Sequence, residues 1–191
     1  MTRLIVFGVP GAGKGTQATR IAGALGIPAI STGDIFRDNI TNKTPLGLQV
    51  REILASGTYV PDEITNAIVR DRLGQPDALD GFLLDGYPRT KAQVVELDDL
   101  LAAQGASLDA VLELTVDTDE VVQRLLKRAE VDGRADDTEE VVRHRLAVYD
   151  EETAPLAALY RERGILHQVD GMGGMDEVAE RITAVLAAFQ N

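Results

Sequence analysis

The most constraining stretch of this chain is its opening. A short apolar run, Leu4-Ile5-Val6-Phe7, leads directly into Gly8-Val9-Pro10-Gly11-Ala12-Gly13-Lys14-Gly15-Thr16. An apolar run punctuated by glycines predicts a buried strand that turns into a helix. Successive glycines let the backbone curl until several N–H groups face one centre. The following helix adds the positive end of its dipole. Lys14 is spaced to reach the terminal phosphates of a nucleoside triphosphate. The loop therefore predicts a polyphosphate site made by Gly11, Ala12, Gly13, Lys14, Gly15 and Thr16. Gly8, Gly13 and Lys14 keep Walker A spacing, but Gly15 stands where a hydroxyl is usual and the hydroxyl follows at Thr16. That displacement argues against a direct loop ligand to a metal, and for a metal carried by phosphates and waters.

Apolar patterning and turn signals continue the alternation begun at the loop. Helix 14–25 ends near Gly26, strand 28–30 follows, and the polar turn Ser31-Thr32-Gly33-Asp34 suits the cap of a helix over 35–41. Helices are predicted from Pro45 to the Ser56-Gly57 break, from Asp62 to about Leu73, and over 90–103. Gly81-Phe82-Leu83-Leu84-Asp85 and 109–116 read as strands. Helix 118–128, the polar stretch 130–137 and a long helix over 138–163, kinked near Pro155, come next. Strand 165–169 and helix 175–189 close the chain. Such alternation predicts an α/β fold with a parallel sheet covered by helices on both faces. Ligands in such sheets sit beyond the carboxyl ends of the strands. The glycine loop, the turn at 31–34 and Asp85-Gly86 all fall at such ends. Asp85, closing an apolar strand, matches a Walker B acid that holds Mg²⁺ through water; a helix-capping role is the plainer alternative.

Composition excludes several classes. At 191 residues, 45% of them hydrophobic, the chain suits one domain with an ample core. It contains no cysteine, which rules out disulfides and thiolate zinc sites. No apolar run is long enough to span a membrane, and the start lacks a signal-peptide pattern, so a soluble cytoplasmic protein is expected. A formal charge of −12 repels a nucleic-acid backbone. Any polyanionic ligand must then be met by a local convergence of the 19 Lys and Arg.

Five ordered motifs carry a close resemblance. They are the segments 8–17, Ser31-Thr32-Gly33-Asp34, Val60-Pro61-Asp62-Glu63, Phe82-Leu83-Leu84-Asp85-Gly86-Tyr87-Pro88-Arg89 and Gly133-Arg134-Ala135-Asp136-Asp137. Together they resemble the adenylate kinase family over essentially the whole chain. The resemblance implies a P-loop NTPase-type five-stranded parallel sheet with helices on both faces. It also implies a mobile nucleoside monophosphate (NMP)-binding segment over 31–60 and a short lid over 127–137, on a core of 1–30, 61–126 and 138–191. It implies Mg-dependent transfer from ATP to AMP giving two ADP, in adenine-nucleotide homeostasis, by a monomer without zinc, nucleic-acid or membrane partners. Lys14 and the loop amides would hold ATP phosphates, with Arg124 and Arg128 at that end and Gly173 against its adenine. Thr32 and Arg37 would meet AMP, with Thr58, Tyr59 and Val60 lining its base pocket. Gly86, Tyr87, Pro88 and Arg89 would close on AMP, Arg89 on its phosphate, and Gln93 would read the adenine edge. Arg134 and Arg145 would bridge the two phosphate chains. Lys14, Arg89, Arg124, Arg134 and Arg145 would form the catalytic set.

The residue types agree with that chemistry. Phosphoryl transfer brings two polyanions together and is catalysed mainly by positioning and electrostatics. Arginine grips phosphate oxygens with a planar fork and stays charged. Arg124 and Arg128, four apart, share one helix face. Asp136 and Asp137 either orient Arg134 or cap the following helix. His144 and His167 match nothing catalytic. Related pyrimidine monophosphate kinases tend to carry Ala and Asn where Thr32 and Gln93 stand, so this pair favours AMP over UMP or CMP. A non-catalytic nucleotide-binding module is the alternative of another class, and Arg37, Arg89 and Arg145 argue against it. Asn42-Lys43-Thr44-Pro45 lacks the aspartate that a guanine-reading motif needs.

Overall fold

The computed structural model describes residues 2–132 and 134–188; Gly133 of the fifth motif lies outside them. Strands β1 (Thr2–Phe7), β2 (Ala29–Ser31), β3 (Gly81–Asp85), β4 (Ala110–Thr115) and β5 (Leu166–Asp170) form one sheet in the order β2-β3-β1-β4-β5. All pairings are parallel, with Ile5 opposite Leu84 and Val111.

Side chains alternate across the central strand, and each face has its own core. Ile5 and Phe7 point to one side, where they meet Leu84, Val111 and the helices α4 (Asp62–Leu73), α5 (Lys91–Ala103) and α8 (Pro155–Glu162). Leu4 and Val6 point to the other, toward α1 (Lys14–Leu25) and α9 (Met175–Ala187) through Ile21, Val178 and Ile182. Leu83, Leu84 and Val111 are fully buried, as strands covered on both faces must be.

Three differences from the sequence reading have local causes. Helix α2 (Thr32–Thr41) begins at Thr32, not at 35. Ser31 is extended and its hydroxyl accepts the Asp34 N–H at 3.3 Å, so Ser31 itself is the cap and Thr32 lies in the first turn. Helix α6 runs over Thr118–Asp132, four residues beyond the expected 128, and a short 3₁₀ turn follows at Ala135–Asp137. The single helix expected over 138–163 is α7 (Glu139–Val148), a π-helical turn at Tyr149–Thr153, and α8. Pro155 has no N–H and crowds the carbonyl four residues before it. The preceding turn widens instead, and the Ala154 N–H donates to the Tyr149 carbonyl at 2.8 Å.

Helix α2 touches the first sheet core through Ile35, and α3 (Pro45–Ala55) packs on α2. They close on a small cluster of their own, Phe36, Val50 and Val60, joined by Ile64 and Ile68 of α4. A fourth cluster, Val121, Leu125 and Val142, joins α6 to α7. Among the described residues no helix is long and apolar enough to cross a membrane.

Candidate active site

The loop between β1 and α1 is built as its glycines require. Gly13 caps α1 in the left-handed region at φ 89°, where a side chain would be strained. Gly11, Gly13, Lys14, Gly15 and Thr16 line a cleft at the carboxyl ends of the strands. Ala12 does not line it: the residue is buried and its N–H donates to the Val9 carbonyl at 3.1 Å. Lys14 Nζ donates to the carbonyls of Gly8 and Val9 at 2.8 and 2.9 Å. Its pKa is lowered to about 8 by burial, opposed by Asp85 and reinforced by Arg89, Arg145 and Arg128.

Asp85 ends β3 and lines the same cleft. A Cβ placed on Gly15 would stand 3.6 Å from one of its carboxylate oxygens, so the carboxylate faces the first turn of α1. Among the described residues no group of three His, Asp or Glu is set to hold a metal. One carboxylate beside a phosphate loop suits a cation that keeps most of its water, as Mg²⁺ does.

A second hollow opens between α2, α3 and the segment after β3. Thr32, Arg37, Thr58, Tyr59, Val60, Gly86, Arg89 and Gln93 line it, eight of the residues expected for the acceptor. Tyr87 and Pro88, joined by a cis peptide bond, lie behind that wall. The Thr32 hydroxyl donates to the Gly86 carbonyl at 2.9 Å, and Arg89 Nε donates to the same oxygen at 2.7 Å. Gly86 has φ 79°, and a Cβ there would press on the Arg89 guanidinium at 2.9 Å and the Thr32 hydroxyl at 3.0 Å. Arg89 also lies over the Tyr59 ring, 4.9 Å from its centroid. Arg37 is paired with Asp34 at 2.6 Å, one turn back on α2.

The two spaces share a wall. Arg37, Gly86, Arg89 and Arg145 line both. Arg124, Arg128 and Arg134 line the larger one, so every arginine of the expected catalytic and donor sets reaches the cleft. The Arg134 guanidinium is disfavoured first by burial and then by the nearby charges of Arg37 and Arg128. Arg145 is pushed the same way by burial, against the pull of Asp136 and Asp137. A cleft this rich in mutually repelling guanidiniums favours an anionic ligand.

Asp136 and Asp137 do not cap the following helix, and their charges act on more arginines than Arg134. Thr138 caps α7, its hydroxyl accepting the Val141 N–H. Asp137 is fully buried and accepts a bidentate pair from Arg128 at 2.6 and 2.7 Å. It also accepts from Arg145 at 2.7 Å, while Asp136 meets Arg145 at 3.0 Å. The carboxylates thus set the arginines of α6 and α7 rather than Arg134 alone.

Gly173 is not among the cleft residues. It lies in the turn after β5 at φ 98°, and a Cβ there would collide with Glu177 Oε2 at 2.3 Å. The nearby Gly171 carbonyl accepts from Arg124 at 3.3 Å, and the Arg124 Nε donates to Glu120. His144 is exposed and its Nε2 lies 3.4 Å from the Thr58 hydroxyl, tying α7 to the acceptor wall. Sequence reasoning passed over Phe36, Leu54 and Thr65 in the acceptor hollow, because apolar or capping residues on helices look like core. Asp34 had a readable signal: it precedes Arg37 by one helical turn.

Comparison with known proteins agrees with this arrangement. A family model described as adenylate kinase matches residues 6–165. A protein of that name from Kocuria rhizophila is 60% identical over 186 residues, covering 97% of this chain and 99% of the relative. One from Clavibacter michiganensis is 61% identical over 187 residues, covering 98% and 94%. One from Nocardioides sp. is 59% identical over 184 residues, covering 96% of each.

Proposed function

Because the chain belongs to the adenylate kinase family and transfers the terminal phosphoryl group of ATP reversibly to AMP, we propose a division of labour among its residues. Lys14 and the amides of Gly11, Gly13, Gly15 and Thr16 hold the ATP phosphates, with Arg124 and Arg128 closing on them. Thr32, Arg37 and Arg89 hold the AMP phosphate, and Thr58, Tyr59, Val60 and Gln93 enclose its base. Arg134 and Arg145 lie over the junction, where charge builds on the transferred group. The observation that carries this reading is the shared wall: Arg37, Gly86, Arg89 and Arg145 line both hollows. Two nucleotides held on either side of that wall meet phosphate to phosphate, which turns a bimolecular encounter into a positioned one.

Asp85 would hold Mg²⁺ through water, and the cation, bound with ATP, would neutralise phosphate charge. The arginines carry the rest of the charge load. Their forks gain strength as the cleft excludes water, since electrostatic attraction rises in a drier medium. The segment 31–60, with its own small core, and the short stretch 127–137 act as covers for the two sites. A Cβ on Gly57 would meet Arg145 of α7 at 2.8 Å, which supports direct contact between the acceptor cover and the helix that carries this arginine. Both hollows are lined by one chain, which suits a monomer acting on soluble adenine nucleotides in the cytoplasm.

Titration with two adenosines joined by five phosphates tests the arrangement. We expect one molecule bound per chain, in competition with both ATP and AMP. Competition with only one of them would defeat the two-site reading.

A further inference from the structure

Gln93 forms part of the acceptor hollow, is 2% exposed, and has its side-chain amide held from two sides. Its Oε1 accepts the Arg89 backbone N–H at 2.7 Å. Its Nε2 donates to Asp62 Oδ1 at 2.7 Å. The other Asp62 oxygen accepts from the Thr90 hydroxyl at 2.9 Å, and the Thr90 oxygen accepts the Gln93 backbone N–H at 3.2 Å. A backbone N–H can only donate and a carboxylate can only accept. A reversed amide would set NH₂ against N–H and carbonyl oxygen against carboxylate, so one orientation is enforced.

That enforcement has a chemical consequence. Oε1 keeps one lone pair and Nε2 one hydrogen beyond these bonds. Side by side, they form an acceptor next to a donor. Adenine presents the complement, a 6-amino donor beside the N1 acceptor. A 6-oxo purine presents the inverse, an oxygen acceptor beside an N1–H donor. A mismatched pair in a buried site leaves polar groups unpaired, which costs more than the bonds themselves gain.

We propose that Asp62 is a specificity-determining residue that acts through Gln93: by fixing its amide, it makes the acceptor site read an amino base edge and reject an oxo edge. The inference rests on the reading that Gln93 faces the acceptor base. Asp62 touches no reacting group; it is a positioning residue at the start of α4, half-buried behind the pocket.

The test compares AMP with inosine monophosphate, which differ at the purine 6-position and the N1 proton, each with saturating MgATP. Asp62→Leu keeps the branched shape and removes the acceptor. The ratio of kcat/KM for AMP over inosine monophosphate is expected to fall roughly tenfold or more, through KM for the acceptors, with KM for ATP unchanged. Asp62→Asn offers an oxygen to Nε2 while its own NH₂ donates to the Thr90 hydroxyl, so it keeps the ratio within about twofold. Should Asp62→Leu not fold, Asp62→Ala serves in its place. An unchanged ratio in the Leu or Ala variant overturns the proposal, as does an equal fall in Asp62→Asn. Gln93→Ala separates the two layers. If it abolishes the preference while Asp62→Leu does not, only the role of Asp62 fails; if it leaves the preference intact, the reading of Gln93 fails as well.

Discussion

Lys14 is the residue whose charge the cleft treats least kindly. Burial and three neighbouring arginines lower its pKa to about 8, and Asp85 only partly offsets them. Below that pH the ammonium is present and meets the phosphates directly. Above it, ATP binding must first return a proton to Lys14, so affinity falls as pH rises. We expect the dissociation constant for ATP, measured by calorimetry without AMP, to increase about fifteenfold between pH 8 and 9.5, steepening toward tenfold per unit at the upper end. Proton uptake in buffers of different ionisation heat should accompany it. A flat profile would remove Lys14 from the phosphate contacts. Asp137 shows the opposite design: a carboxylate in full burial is tolerated because Arg128 and Arg145 both bond it.

At the scale of elements, the π turn at Tyr149–Thr153 links the acceptor cover to the core. It turns the Thr153 hydroxyl toward two partners, the Arg89 carbonyl at 2.8 Å and the Tyr59 hydroxyl at 2.8 Å. Tyr59 thus ties the exit of the acceptor segment to the strand-end loop that carries Arg89. Tyr59→Phe and Thr153→Val should each lower stability by about 1 kcal/mol in urea unfolding. Their double variant should lose less than the sum, because the same bond is removed twice. Strict additivity would mean the two hydroxyls do not interact. Most elements were legible from local signals: Gly26 ends α1, Asp62 begins α4, and β3 spans Gly81–Asp85 as the apolar run required. What was not legible depends on contacts between elements. The extension of α6 to Asp132 brings no new apolar period, and Asp137 finds its arginines on two helices nine and eight residues away in sequence. The π turn offers only Pro155 as a clue, and a proline kink was the reasonable reading of it. In the site, glycines and arginines stood out by type, whereas Asp62 and Thr153 look ordinary until their partners are seen.

The whole molecule carries a formal charge of −12, yet gathers six of its arginines around the strand ends. Its long-range field therefore repels nucleotides while the cleft attracts them at short range. Salt screens both, but the cleft wins close to the phosphates. Raising KCl from about 0.05 to 0.5 M, across which the Debye length shrinks from roughly 14 to 4 Å, should raise KM for AMP several-fold and leave the circular dichroism unchanged. An indifferent KM would mean the arginines do not meet the acceptor phosphate. The same gathering of charge explains why the sheet core can be plain hydrocarbon: the chemistry sits at one edge, and Leu83, Leu84, Val111 and Leu112 need only hold that edge in place.

A carboxylate clasped by guanidiniums from two helices behaves as a rivet. Arg128 rides on α6 and Arg145 on α7, and Asp137 fastens them to each other. Neither can swing away without stranding the other's partner, so help for the reacting phosphates arrives in full or not at all.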